Sequence, residues 1–151
     1  MPIRCEIVSQ DRLVFEGDAD MVLVPGALGE MGILPKHAPL LSALKPGILR
    51  VRVAGGQEHA FTVTGGVVEV QPDLVTVLAD AAENVMEIDV KRAEQARQRA
   101  EELLKQGPPP DTEAYLAIEA ALKRSTLRLE AARRYSGQRG RPLGMGEDKN
   151  L

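Results

Sequence analysis

The feature that most constrains this chain is a change of grammar at its middle. Up to residue 84, glycine and proline punctuate short apolar runs, with 9 of the 14 glycines and 6 of the 10 prolines falling there. Between Pro72 and Gly107 neither residue occurs, and from Ile88 onward Ala, Glu, Gln, Lys and Arg dominate. A chain built this way cannot continue one architecture from end to end, because turn residues every few positions suit short strands and their absence suits helices.

In the first part, Ile3, Cys5 and Ile7 alternate with Arg4, Glu6 and Val8, and Leu49, Val51 and Val53 alternate with Arg50 and Arg52. A period of two gives each strand one buried and one wet face. Gly55-Gly56, Gly65-Gly66 and Pro72-Asp73 supply turn chemistry between the runs. With Arg12–Glu16, Met21–Val24 and Met31–Leu34 the pattern predicts about eight strands in an antiparallel sandwich or barrel over residues 1–84.

In the second part, Asp89 is placed to cap a helix, with Ile88 and Ala93 as a hydrophobic staple. Ala93, Ala96, Ala100 and Leu103 form a narrow seam of period 3.6, and the helix should end at Gly107. Pro108-Pro109-Pro110 cannot continue it; Asp111 or Thr112 can cap a second helix running to about Tyr135, with Tyr115, Ile118, Leu122, Leu129 and Ala132 as its stripe and Ser125 interrupting it. So short a connection makes an antiparallel pair. The fold class is therefore α+β in two domains: a β-sandwich over 1–84, a two-helix hairpin over 85–135, and a tail over 136–151 with no apolar period, expected to be disordered.

Composition narrows the function. Aromatic residues are 3% with no Trp, which disfavours base stacking, and a formal charge of -3 lacks the basic face that nucleic acid requires. That charge is unevenly spread, -5 over residues 1–84 and +2 beyond, as for two units with different partners. Cys5 is the only cysteine, so no internal disulfide or Cys-based zinc site can form, and it reads as a small buried strand residue. The start Met1-Pro2-Ile3-Arg4 leads directly into alternating residues, and no apolar run is long enough to span a bilayer; the expectation is a cytoplasmic protein whose membrane contact is peripheral.

Catalytic signatures are missing: no phosphate loop, no GxSxG, no HExxH, and His37 and His59 stand in unrelated contexts. Gly26, Gly29 and Gly32 are not spaced as a dinucleotide fingerprint. Two constellations remain. The segment Gly29–Leu40 is too rich in Gly and Pro for regular structure yet carries Met31, Ile33 and Leu34; it is either a packed corner or an exposed loop that docks on a partner. In the hairpin, Arg92, Arg124 and Arg128 lie 17, 15 and 19 residues from Pro109, with Arg99 seven residues from Arg92 on the same face. Several guanidiniums can thus converge across an interhelical groove and hold phosphate oxygens, although a solvated basic face paired with glutamates is the plainer reading of the same residues.

The segments GEMGILPKHAPL at 29–40, Leu44-Lys45-Pro46-Gly47 and Ile88-Asp89-Val90-Lys91-Arg92-Ala93, in this order, resemble the epsilon subunits of bacterial F-type ATP synthases, and the last matches the IDxxRA motif of the nucleotide-binding ones. The resemblance covers about residues 1–135. It implies a non-catalytic rotor subunit that binds the gamma subunit and the c-subunit ring, with catalysis in other subunits. It places Glu30, Met31 and His37 toward the c ring, and implies a hairpin that lies folded or extends toward the alpha/beta crown to hinder ATP hydrolysis. It further implies an ATP site at Glu83, Ile88, Asp89, Arg92, Ala93, Arg99, Arg124 and Arg128: the arginines on phosphates, Asp89 and Glu83 accepting from the adenine amino group or ribose hydroxyls, in an order left open. ATP is then a regulatory ligand, with no required cofactor, catalytic residue or metal. The location implied is the cytoplasmic face of the bacterial cell membrane, reached only through the complex. A free-standing nucleotide-sensing module is the alternative.

Overall fold

The computed structural model describes residues 1–107 and 111–135, so the Pro108–Pro110 turn and the 136–151 tail lie outside the described residues. Ten strands come first: β1 Ile3–Val8, β2 Leu13–Ala19, β3 Met21–Gly26, β4 Gly29–Ile33, β5 Leu40–Leu44, β6 Gly47–Arg52, β7 Glu58–Val63, β8 Gly66–Val70, β9 Leu74–Ala79 and β10 Ala82–Asn84. They pair in the order β10-β7-β6-β3-β5-β8-β9-β1-β2, with β4 hydrogen-bonded to β3, and the two ends of that path, β10 and β2, come back into contact. Two helices follow, α1 Val90–Lys105 and α2 Thr112–Arg134.

Alternation places the core as expected. Ile3, Cys5 and Ile7 of β1 and Leu49 and Val51 of β6 are fully buried, and they join Val22, Val24, Ile33, Phe61, Val63, Val68, Val75 and Val77 in one aliphatic interior. Phe61 is its only fully buried aromatic side chain, with the Phe15 ring 5.6 Å away between centroids. Gly66 shows what the turn glycines are for. Its φ is +123°, and a Cβ there would stand 2.1 Å from the Leu78 carbonyl oxygen, so only glycine lets β8 start alongside β9.

Three expectations need correction. The sheet is not wholly antiparallel, since β1 runs parallel to β9 with Cys5 opposite Val75. Gly29–Leu40 is regular at its start, where the Met31–Leu34 run also predicts a strand: its first five residues form β4, which begins two residues earlier than that run and pairs with β3 from Gly26↔Gly29 to Val22↔Ile33. The glycines fit because Gly26 and Gly29 meet at the hairpin turn, where backbone and the Met31 side chain already fill the space a Cβ at Gly26 would need. Finally, β5 and β10 are strands without an alternating apolar signal; β10 is three residues long and is held by its pairing with β7.

The hairpin follows its caps. The Asp89 carboxylate accepts the Arg92 N–H at 3.1 Å, and the Asp111 carboxylate accepts the Glu113 N–H at 3.0 Å. Gly107, at φ +96°, donates its N–H to the Leu104 carbonyl just past the end of α1. Ala93 and Ala100 are buried in the seam, but Leu103 is exposed. On α2, Ser125 does not interrupt a dry stripe: it is buried, and its hydroxyl donates to the Ala121 carbonyl one turn back, so the polar group is satisfied inside the helix. A second, small core docks α2 on the sandwich: Ala131, Ala132 and Tyr135 pack with Ala60, Val85 and Ile88, with Ile48 and Met86 at its margin.

Candidate functional site

Two surfaces follow from this fold. The first is where β10, α1 and α2 meet. Glu83, in the middle of β10, is fixed by pairing opposite Thr62 of β7, and its carboxylate accepts two hydrogen bonds from Arg128 of α2, Nε to Oε2 at 2.9 Å and Nη2 to Oε1 at 3.0 Å. Both side chains are about one-third exposed or less. This bidentate pair ties α2 to the sandwich beside the small docking core.

Of the other residues expected there, Asp89 uses its carboxylate to cap α1, Ile88 is buried in the docking core and Ala93 is buried in the seam. Arg92, Arg99 and Arg124 are exposed, and none makes an ion pair with a described residue. At 100° per residue, Arg92 and Arg99 share one flank of α1, and Arg124 and Arg128 share one flank of α2. The structure therefore brings Glu83 to Arg128, and leaves three guanidiniums solvated.

A groove of about 520 Å³ lies between the helices, lined by Val90, Glu94, Arg97, Thr126, Leu129 and Arg133 among others. None of the expected site residues lines it. Val90, Glu94 and Arg97 recur at four and three residues on the flank of α1 away from Arg92 and Arg99. Arg97 pairs with Glu94 and Glu101, so its charge is balanced within its own helix. Sequence reasoning missed the groove because its polar residues look like an ordinary i, i+4 ladder.

The second surface is on the sandwich. Glu30 is exposed and accepts from Arg50 at 3.0 Å; His37 Nδ1 lies 2.7 Å from the Ala38 carbonyl, and the His37 N–H donates to Leu34 beside Lys36, whose φ is +64°. Met31 and Ile33 do not form an exposed apolar loop. Ile33 is fully buried and Met31 packs against the core, because β4 alternates with its odd positions inward. The exposed apolar side chains at that end are Leu28, at the β3–β4 turn, and Leu34.

Sequence reasoning also missed an apolar row across the outside of the sheet. Register aligns Leu13 with Val8, Val8 with Leu78, Leu78 with Val67 and Val67 with Ala43, over five neighbouring strands. Leu13, Leu78 and Val67 are 53, 52 and 38% exposed, and Leu41 beside them is 70% exposed. A single exposed leucine is ordinary, but a row in register is a candidate contact face. Only strand order could reveal it, since each residue comes from a different run. Among the described residues no helix is long and apolar enough to cross a membrane, and no cluster of His, Cys, Asp and Glu is arranged to hold a metal ion.

Comparison with known proteins matches residues 2–85 to the beta-sandwich domain of the ATP synthase Delta/Epsilon chain, and residues 86–133 to its long alpha-helix domain. The chain belongs to the ATP synthase delta/epsilon family. Within this family it is 45% identical over 133 residues to the ATP synthase epsilon chain of Herpetosiphon aurantiacus, covering 88% of this chain and 96% of that one. It is 43% identical over 138 residues to that of Acidithiobacillus ferridurans, covering 91 and 96%. Among solved structures it resembles a chain of the Euglena gracilis mitochondrial ATP synthase, seen with OSCP, F1 and the c ring, at a TM-score of 0.72 and 27% identity over 87% of this chain and 81% of that one. A chain in the central stalk and c-ring structure of the Tetrahymena thermophila enzyme shares the fold, at a TM-score of 0.55 and 17% identity. The family's sandwich and helical parts thus coincide with the ten strands and two helices, and the chain is an epsilon-type subunit of an ATP synthase.

Proposed function

We propose that this chain is a non-catalytic coupling and regulatory subunit in the rotor of a proton-translocating F-type ATP synthase, with catalysis in other subunits. Its sandwich binds the gamma subunit and the c-subunit ring, Glu30, Met31 and His37 lying toward the ring. Its hairpin is a brake on ATP hydrolysis that engages the alpha/beta subunits when extended and is held folded by ATP. The protein then sits peripherally on the cytoplasmic face of the bacterial membrane, through the complex alone. The relative from Euglena, observed together with F1 and a c ring, supports the assembly.

The observation that carries the reading is the outward-facing row Leu13, Val8, Leu78, Val67 and Ala43, exposed except at the half-buried Val8, which suits a partner and is unrelated to the hairpin. We assign it to gamma. In the full chain, Leu78→Asp puts a charge at the centre of that row without touching the core, and should weaken binding to purified gamma by about thirtyfold or more, the loss typical of a central interface residue. The same variant should bind ATP as the parent does. Unchanged gamma binding, measured by calorimetry, would move the gamma face elsewhere on the sandwich.

A further inference from the structure

We propose that Glu83 is a positioning residue: it orients the Arg128 guanidinium for a phosphate group and so links anion binding on the hairpin to docking of the hairpin on the sandwich. The inference rests on the nucleotide reading above but changes the part Glu83 plays in it, from a group that touches base or ribose to one that acts through Arg128.

The geometry is in the donor atoms. Arg128 gives Nε–H and one Nη2–H to the two oxygens of Glu83. A guanidinium carries five N–H groups in one plane, so this side-on pairing fixes the plane and leaves the two hydrogens of Nη1 and the second hydrogen of Nη2 for an end-on acceptor. Each Glu83 oxygen accepts one N–H from Arg128, at 2.9 and 3.0 Å, so the carboxylate is oriented by the guanidinium, and another donor has only its remaining lone pairs to approach. Arg92, Arg99 and Arg124, exposed and without ion pairs among the described residues, supply the remaining positive charge. Arg128 differs from them in being held.

The coupling follows from where the two partners sit. Glu83 belongs to the sheet through its pairing with Thr62, whereas Arg128 belongs to α2, so the pair exists only while α2 is docked. An oriented Arg128 binds phosphate better than a mobile one, because less side-chain freedom is lost on binding. By linkage, a ligand that binds better to the docked form shifts the chain toward that form. A carboxylate that competed with the ligand for Arg128 would give the opposite sign, which makes the two roles separable.

The experiment titrates sodium tripolyphosphate, which has neither base nor ribose, and ATP into the full chain, into Glu83→Gln, into Arg128→Gln and into the double variant by calorimetry. Folding of each is checked by circular dichroism, and exchange of the Ala131 and Ala132 amides reports docking. The expected result is a loss of about tenfold in tripolyphosphate affinity for Glu83→Gln, the worth of one charge-assisted contact. No further loss is expected when Glu83→Gln is added to Arg128→Gln, and tripolyphosphate should slow Ala131 and Ala132 exchange in the parent but not in Glu83→Gln. Glu83→Asp, one methylene too short to reach both nitrogens, carries the same expectation if Glu83→Gln does not fold. Unchanged or tighter tripolyphosphate binding in Glu83→Gln, or losses that simply add, would overturn the positioning role while leaving the nucleotide site standing. If the parent chain binds neither ligand, the nucleotide site itself fails and this role with it.

Discussion

Cys5 lies on β1 between Ile3 and Ile7 with no exposed surface, and burial, helped by the nearby Glu6 charge, pushes its thiol up to about 12. Burial also raises the Tyr135 hydroxyl, against the opposing pull of Arg50. An acid whose folded-state pKa is raised keeps its proton in the folded chain after the unfolded chain has lost it. Its contribution is therefore complete below the unfolded value, about 8.5 for a thiol, and is lost as pH rises toward the folded value. For Cys5, stability should fall between about pH 9 and 12 by up to roughly 1.4 kcal/mol per pH unit, and Tyr135 adds a loss in the same direction that begins only above about pH 10. Cys5→Ala should remove its share of that slope while costing some packing at neutral pH. Denaturant unfolding at pH 7, 9 and 10.5 measures both, and equal slopes in the two proteins would show that another group governs alkaline unfolding. The burial of Cys5 was legible from alternation alone. The partner of Glu83 was not: a carboxylate in a three-residue strand and an arginine 45 positions away share no local signal, and only the docking of α2 brings them together.

At the scale of elements, what could be read from sequence was whatever local chemistry decides. The caps of both helices are Asp89 and Asp111, and the strands built on strict alternation are in place. What could not be read depends on neighbours. β5 carries Leu40, Leu41, Ala43 and Leu44, whose apolar character on both faces hides the period because the outward side is itself apolar and exposed. Leu103 fits the spacing of the seam but is exposed, so the buried part of the seam is only Ala93 and Ala100, with Ala96 half-buried. Such a seam contributes little burial per residue, and its stability leans on the cap. Asp89→Ala should cost about 1 kcal/mol, the usual worth of an N-cap, and speed amide exchange in the first turns of α1 with no change in β1 or β6. Uniform acceleration across sheet and helix would mean that the hairpin and sandwich unfold as one unit, and that α1 has no separate weak end.

For the whole molecule, the main point is that the two cores are separate. Every residue of the main interior lies within the first 82 positions, whereas the docking core joins Ala60 of the sheet to Val85, Ile88, Ala131, Ala132 and Tyr135. The α2 residues in that joint are the two alanines, with Tyr135 just past the helix end, so the helix itself buries little there and the ion pair between Glu83 and Arg128 adds to what holds α2 down. Undocking then uncovers Ala60 and a margin at Ile48 on the sheet, and Val85 and Ile88 on the segment leading to α1. We therefore expect residues 1–84 to fold alone, giving a cooperative unfolding transition and the strand pairings of the full chain by amide exchange, and to keep gamma binding because the row from Leu13 to Ala43 lies wholly within them. A fragment that is unfolded would place the boundary beyond Ile88, with Val85 and Ile88 needed by the sheet. The same cut tests the brake. In the assembled enzyme, a chain stopped at Asn84 should raise ATP hydrolysis over the full chain at low ATP, and the difference should shrink as ATP rises, since a ligand at about 100 times its dissociation constant adds roughly 2.7 kcal/mol to the docked form. That is enough to invert a population of about one docked chain in ten. If the cut leaves assembly intact and hydrolysis unmoved at every ATP concentration, the hairpin is not a brake, and the weak joint between the two cores has some other use.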